Sequence, residues 1–287
     1  MDVQLNARII LLFNIMFCWI TISINVTSIY RYVSQKLHGN QHLTLLTVKV
    51  ICDALFATAS WIYSTLILLK LERQIQSNEY AYQLGNITFS LELSMGFLSV
   101  FIALDRLLSM RRPFEYAKIY SPVILKLALS FMFFAFSSAF TIYSITRKPD
   151  ISQGYMFYQF ADYKAQTCFH ILIAALFSTN VLLSVVISFD FRRFMTSGVQ
   201  SYMVAYFKKL VFANRIVQYQ MVADLTTLIL PNLGISVLKY GFGYDLVASI
   251  GPVTPPLFAL YVAFCAILFR FVTSKKQVTP MHSSMYS

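Results

Sequence analysis

Charged side chains are scarce in this chain. Asp, Glu, Lys and Arg make up 12% of its 287 residues, against 57% apolar residues. Soluble domains carry about 25% charged and roughly 45–50% apolar residues. A chain this short of charge cannot cover a water-facing surface, which excludes an ordinary soluble enzyme and an intrinsically disordered protein. Cysteine is also sparse: Cys18, Cys52, Cys168 and Cys265 form no CxxC pair. That argues against a disulfide framework or a zinc site. There is no His-Glu-x-x-His, no nucleophile elbow and no phosphate loop, so no catalytic or metal-binding constellation and no cofactor is expected. No internal repeat is visible either, which withholds support from an inverted-repeat transporter. Acids are outnumbered, 12 against 23 basic residues, for a net charge of +11. The basic residues sit at the edges of apolar runs, so they suit a lipid bilayer and not a nucleic acid.

What the chain does have is long apolar runs, and a mean hydropathy of +0.63. A membrane helix needs about 20 mostly apolar residues to cross roughly 30 Å of hydrocarbon. Seven runs qualify, at about 9–30, 43–69, 84–108, 123–145, 167–189, 211–238 and 246–271. The first exceeds a signal peptide's apolar stretch and has no small-residue cleavage site after it, so it reads as a retained helix. The sixth is diluted by Gln218, Gln220 and Asp224. The expected fold is an all-α membrane protein, with 1–287 forming a single seven-helix transmembrane domain.

Basic residues set the orientation. With the N-terminus outside, 14 of the 23 lie on the inner side and seven on the outer, while Lys49 and Lys126 fall within spans. The excess then meets the anionic cytoplasmic leaflet. The N-terminus is therefore expected outside and the C-terminus in the cytoplasm. The opposite topology, used by insect-type odorant channels, would put the basic face outside.

The third span ends in Leu104-Asp105-Arg106-Leu107-Leu108-Ser109-Met110-Arg111-Arg112-Pro113-Phe114-Glu115-Tyr116. This stretch resembles the rhodopsin-like receptor signature: Asp-Arg, an aliphatic run, then Pro-x-x-Tyr. Asp105, Arg106, Leu108, Met110, Pro113 and Tyr116 occupy matching positions, and Leu107 stands where an aromatic is usual. Read from the residues alone, an Asp-Arg pair at a helix end lies within reach of the headgroups, and the arginine can point inward or snorkel out. Pro113 ends the helix. The plain alternative is a basic flank that stops transfer. The resemblance implies more: Asp105 holds Arg106 in the inactive state, and Arg106 meets a heterotrimeric G protein on activation.

Over its whole length the chain looks most like the nematode serpentine chemoreceptors of the BC class, with a short N-terminus, seven spans and a short Ser/Thr-bearing tail. It departs from rhodopsin-like receptors twice. No cysteine opens the third span, so the usual disulfide to the second outer loop cannot form. The seventh span lacks Asn-Pro-x-x-Tyr and carries Thr254-Pro255-Pro256, with Tyr261 further along. Pro255 and Pro256, like Pro231 in the sixth span, are expected to kink their helices.

Polar groups inside a membrane are costly and read first as functional. Lys49 and Asp53 are spaced i, i+4, so their side chains can touch as a neutralised pair. The rival reading joins Asp53 to Asn25 in the inner polar network near which rhodopsin-like receptors bind sodium. Glu92 lies 14 residues before Arg106, about 21 Å along the helix axis. That puts it in the outer half, where a ligand pocket would open; a hydrogen bond to a neighbouring helix is the plainer role. Met95, one turn on, and His170, near the outer end of the fifth span, join it as pocket candidates, although a histidine there is more often an interface residue. Asp224, with Pro231 seven residues later, suggests a kinked, partly hydrated helix. The sequon Asn86-Ile87-Thr88 falls close to the membrane.

The expected function is a chemosensory G-protein-coupled receptor in the cell membrane, and by resemblance in the ciliary membrane of sensory neurons. It would bind a small-molecule ligand between the outer halves of its helices and activate a heterotrimeric G protein. A small-solute transporter or ligand-gated channel is the alternative, supported by the intramembrane ions Lys49, Asp53, Glu92, Lys126 and Asp224.

Overall fold

The computed structural model describes residues 3–34, 44–72, 78–112, 115–148, 156–196, 218–243 and 253–274. They form seven long helices: α1 (Val3–Ser34), α2 (Thr44–Leu71), α3 (Asn78–Arg111), α4 (Ser121–Ile145), α5 (Tyr163–Thr196), α6 (218–242) and α7 (Thr254–Ser274). All of α1 to α5 and α7 are long and apolar enough to cross a membrane. α6 is interrupted: an α-helical start gives way to a π-helical stretch, Asp224–Ile229, before α-helix resumes at Leu230–Phe242. A one-turn helix, Phe157–Phe160, lies between α4 and α5, and a π turn, Tyr116–Tyr120, leads into α4.

Most helices overrun their apolar runs. α3 has 34 residues, roughly 50 Å at 1.5 Å per residue, well beyond the hydrocarbon. Its polar ends, with Glu79 in the first turn and Arg111 in the last, reach past the apolar layer. The prolines also behave differently from expectation. Pro255 and Pro256 stand in the first turn of α7, where a missing N–H costs nothing. They open the helix and do not kink it. Pro231 stands at the start of the α-helical continuation of α6, directly after the π stretch. A proline ring clashes with the carbonyl four residues back, and the widened π turn absorbs that clash. α6 ends at Gly243, whose φ of 69° is left-handed and whose N–H caps the Leu238 carbonyl. Glycine accepts that conformation without strain. Residues 211–217 and 246–252 of the expected sixth and seventh spans lie outside the described residues.

α3 is the axial helix and packs on α2, α4 and α5; α1 packs on α2 and α7, and the π stretch of α6 packs on α5 and α7. Large apolar side chains such as Leu12, Trp19, Phe133, Phe134 and Leu182 are exposed. They form the lipid-facing belt of a multi-pass membrane protein. In lipid the hydrophobic effect does not draw helices together, so small polar side chains contribute to the contacts. Asn14 on α1 donates to Ser60 (2.9 Å) and Ser64 (2.6 Å) on α2. Ser94 on α3 donates to the Met132 carbonyl on α4 at 3.1 Å. Asn86 on α3 is fully buried and donates to the Phe140 carbonyl and Ser144 on α4, both at 3.1 Å. A glycan has no room at that sequon.

Candidate functional site

Three clusters follow one another along the bundle, from the end where α3 finishes (the Arg106 end) to the opposite one (the Phe157 end). At the Arg106 end, α3 carries Asp105 and Arg106 on adjacent positions. The Arg106 guanidinium lies 2.9 Å from one Asp105 oxygen, and the Tyr116 hydroxyl donates to the other at 2.7 Å. Arg106 and Tyr116 are 0% exposed and Asp105 is 2% exposed. Burial, and then the Asp105 carboxylate, push the Tyr116 hydroxyl well above its ordinary range, so it remains a donor. Each carboxylate oxygen thus has its own partner, which makes a closed latch. Outside it, Arg111 bonds Asp190 of α5 at 2.7 Å. Arg112 meets Glu115 at 3.3 Å and the Tyr120 hydroxyl at 3.0 Å. Pro113 lies outside the described residues.

Toward mid-bundle, Lys49 and Asp53 pair on α2 at 2.8 Å, both buried. The Lys49 ammonium also lies 5.0 Å from the centre of the Tyr261 ring on α7, a cation–π contact. Gln220 on α6 donates to the Tyr261 hydroxyl at 3.3 Å, and Asn180 on α5 donates to Asp224 on α6. A small cavity bordered by Lys49, Asp53, Gln220 and Cys265 leaves about 20 Å³ for the centre of a water, room for about one molecule. The polar core therefore ties α2, α5, α6 and α7. Asn25 does not join it: the residue is buried, and neither amide atom has a hydrogen-bond partner among the described residues. Asp53 takes its counter-charge from its own helix. The expected Asn25–Asp53 network is thus replaced by one that the sequence reading missed in part. Asn180 and Gln220 are legible in the sequence as amides within or beside apolar runs, but no spacing pairs them with Asp224 or Tyr261.

At the Phe157 end the segment between α4 and α5 folds into the bundle. Met156, Phe157, Phe160 and Ala161 are buried there. The Phe157 ring stacks on Tyr82 (5.4 Å) and Phe89 (4.9 Å) of α3 and meets Tyr143 of α4 edge-on at 5.0 Å. Its N–H donates to the Tyr63 hydroxyl of α2 at 2.9 Å. Lys148 N–H donates to the Phe160 carbonyl at 2.8 Å, and Gln166 donates to the Tyr158 and Ala161 carbonyls at 2.7 and 3.1 Å. Asp162 caps α5. The four cysteines are free thiols, so aromatic packing and these hydrogen bonds anchor the segment. Nothing periodic in the sequence announced this.

Glu92 lies below that roof, 4% exposed. Met95 is buried one turn toward the Arg106 end, in a cluster with Phe56, Phe177, Phe258 and Tyr261. His170 is exposed on α5 and touches the Phe89 ring edge-on at 6.4 Å. Of these two pocket candidates, Met95 is buried in the bundle, while His170 stays exposed at its margin.

The profile of a protein family, described as serpentine type 7TM GPCR chemoreceptor Srbc, matches residues 3–189. No curated protein matches the chain.

Proposed function

The chain belongs to the serpentine type 7TM GPCR chemoreceptor family Srbc, and on that premise we propose that it is a sensory receptor coupled to a heterotrimeric G protein. The ligand is a small chemical bound between the helices toward the Phe157 end. The G protein docks at the Arg106 end, which faces the cytoplasm. The observation that carries the reading is the buried latch of Asp105, Arg106 and Tyr116. A fully buried guanidinium held by a carboxylate is a stored interaction. The same planar fork that binds the carboxylate can serve carbonyl acceptors on a docked partner. Ligand binding shifts the population only as far as its affinity differs between latched and open states. The mid-bundle network ties α2, α5, α6 and α7, so it is placed to link the two ends, and its Asp224 opens the π stretch of α6. By family resemblance the receptor works in the ciliary membrane of sensory neurons.

The test is ligand-dependent nucleotide exchange on a G protein, with Arg106→Ala as the control. The variant is expected to reach the surface and not to signal. Ligand-gated current that persists without G protein would move the assignment to a channel, where the intramembrane ions line a conduction path.

A further inference from the structure

Most buried ionisable side chains among the described residues have at least one polar partner. Lys49 has Asp53, Arg106 has Asp105, Asp224 receives Asn180, and Lys70 donates to Asn78. Glu92 has no hydrogen-bond or ion-pair partner among the described residues, although it is 4% exposed. A buried carboxylate without a partner is strongly disfavoured. The neutral acid costs much less to bury, but its O–H still has no acceptor among the described residues. Either form leaves a polar group that something else must satisfy.

The surroundings define what that is. One turn toward the Phe157 end stands Phe89, with the Phe157 ring stacked on it at 4.9 Å. One turn the other way stands Met95, packed with Phe177 and Phe258. The Tyr143 ring of α4 meets the Phe157 ring edge-on at 5.0 Å. A single carboxyl with aromatic and thioether neighbours along its helix is the kind of lining that suits a small apolar body with one polar head. Aromatic faces attract cations, and a carboxylate supplies the counter-charge. A bare metal ion does not fit, since no group of three metal-ligating side chains occurs among the described residues, and ordinary sites need more donors than one carboxyl.

We propose that Glu92 is the counter-charge for a cationic ligand, a small organic amine whose ammonium pairs with the carboxylate while its apolar part lies among Phe89, Met95 and Phe157. This rests on the receptor reading only in that the site is there to bind something.

The test uses the purified full chain in lipid nanodiscs at neutral pH, read by thermal melting. The probes are two protonated amines, 2-phenylethylamine and cyclohexylamine, and their near-isosteric alcohols, 2-phenylethanol and cyclohexanol. At least one amine is expected to raise the wild-type melting temperature in a saturable way, and its alcohol is not. Glu92→Gln is expected to weaken that amine about 30-fold or more, the effect of truncating one partner of a buried charge pair, and Glu92→Asp to keep part of the affinity. Amines that bind Glu92→Gln as well as wild type overturn the proposal. So does a wild-type chain that no amine stabilises, or that alcohols stabilise equally. If Glu92→Gln does not fold, the wild-type contrast between amine and alcohol decides. Nucleotide exchange separates the two readings. An amine that binds through Glu92 and drives no exchange defeats the receptor reading alone. Exchange driven by neutral compounds, with amines inert, defeats this proposal alone.

Discussion

Gly85 on α3 lets the Phe157 side chain rest directly on the helix backbone. A Cβ added at Gly85 would stand 2.5 Å from the Phe157 Cβ and 2.8 Å from its Cγ. The first of these atoms belongs to the root of the side chain, which no rotamer change can move away. Gly85→Ala therefore has to push the whole segment between α4 and α5 outward. The expected cost is roughly 1–3 kcal/mol, the usual range for overpacking, seen as a lower melting temperature of the purified chain. Phe157→Ala in the same background keeps the offending Cβ and does not rescue it. Phe157→Gly does. A Gly85→Ala chain as stable as wild type would show that the segment does not seat there.

The Tyr116 hydroxyl occupies one oxygen of Asp105 while Arg106 occupies the other. Tyr116→Phe removes that donor and keeps the ring. A hydrogen bond to a charged group contributes roughly 1.5–3 kcal/mol, so the latch opens more often. Basal second-messenger output per surface receptor is expected to rise, as it is for Asp105→Asn. The scale is about 5- to 150-fold for coupling energies of this size. Unchanged basal output in both variants would mean that the latch does not hold the inactive state.

Lys49 and Asp53 bond at 2.8 Å inside the bundle, and removing one partner strands the other. Lys49→Met alone, or Asp53→Leu alone, should destabilise by roughly 3–5 kcal/mol. The double variant should recover most of that, because an apolar pair of similar bulk leaves no unmatched charge. A double-mutant cycle on melting in nanodiscs measures the coupling. Additive losses would show that the two residues act separately. Lys49 also touches the Tyr261 ring, so part of the Lys49→Met loss should remain in the double variant.

The fold was largely legible in the sequence because membrane helices announce themselves by length and apolarity. The third run and its Asp105–Arg106 end stand in the structure at the expected place on one helix. The i, i+4 spacing of Lys49 and Asp53 became a real contact, because both partners lie on one element and need no tertiary information. What failed depended on contacts between elements. Asn25 and Asp53 are both buried polar groups, and only packing shows that they do not meet. Pro255 and Pro256 were read as an interruption within a span. A proline at a first turn and a proline in mid-helix look alike until the helix start is known. His170 lies in an apolar run whose outward and inward faces the sequence could not separate, because lipid and protein interior are both apolar. The seat of Phe157 against Gly85 joins residues 72 positions apart, and no local pattern encodes it.

The orientation of the bundle is open to a direct measurement. Helices alternate in direction, so Arg31, Arg106, Arg111, Lys118, Arg192 and Arg270 gather toward one end. Arg8, Lys70, Arg147, Lys148 and Lys164 gather toward the other. Pairing discounts both ends: Arg147 meets Glu79 at the second, and Arg106 and Arg111 meet Asp105 and Asp190 at the first. Each basic residue near an anionic leaflet contributes about 1 kcal/mol, and with 14 of the 23 basic residues on the Arg106 side and seven on the other, the Arg106 end is expected in the cytoplasm and the N-terminus outside. Epitope tags at the two ends, stained in intact and in permeabilised cells, give the answer. The N-terminal tag should stain in intact cells and the C-terminal tag only after permeabilisation. The reverse pattern would put Arg106 outside, beyond the reach of any G protein. It would defeat the receptor mechanism whatever the ligand proves to be.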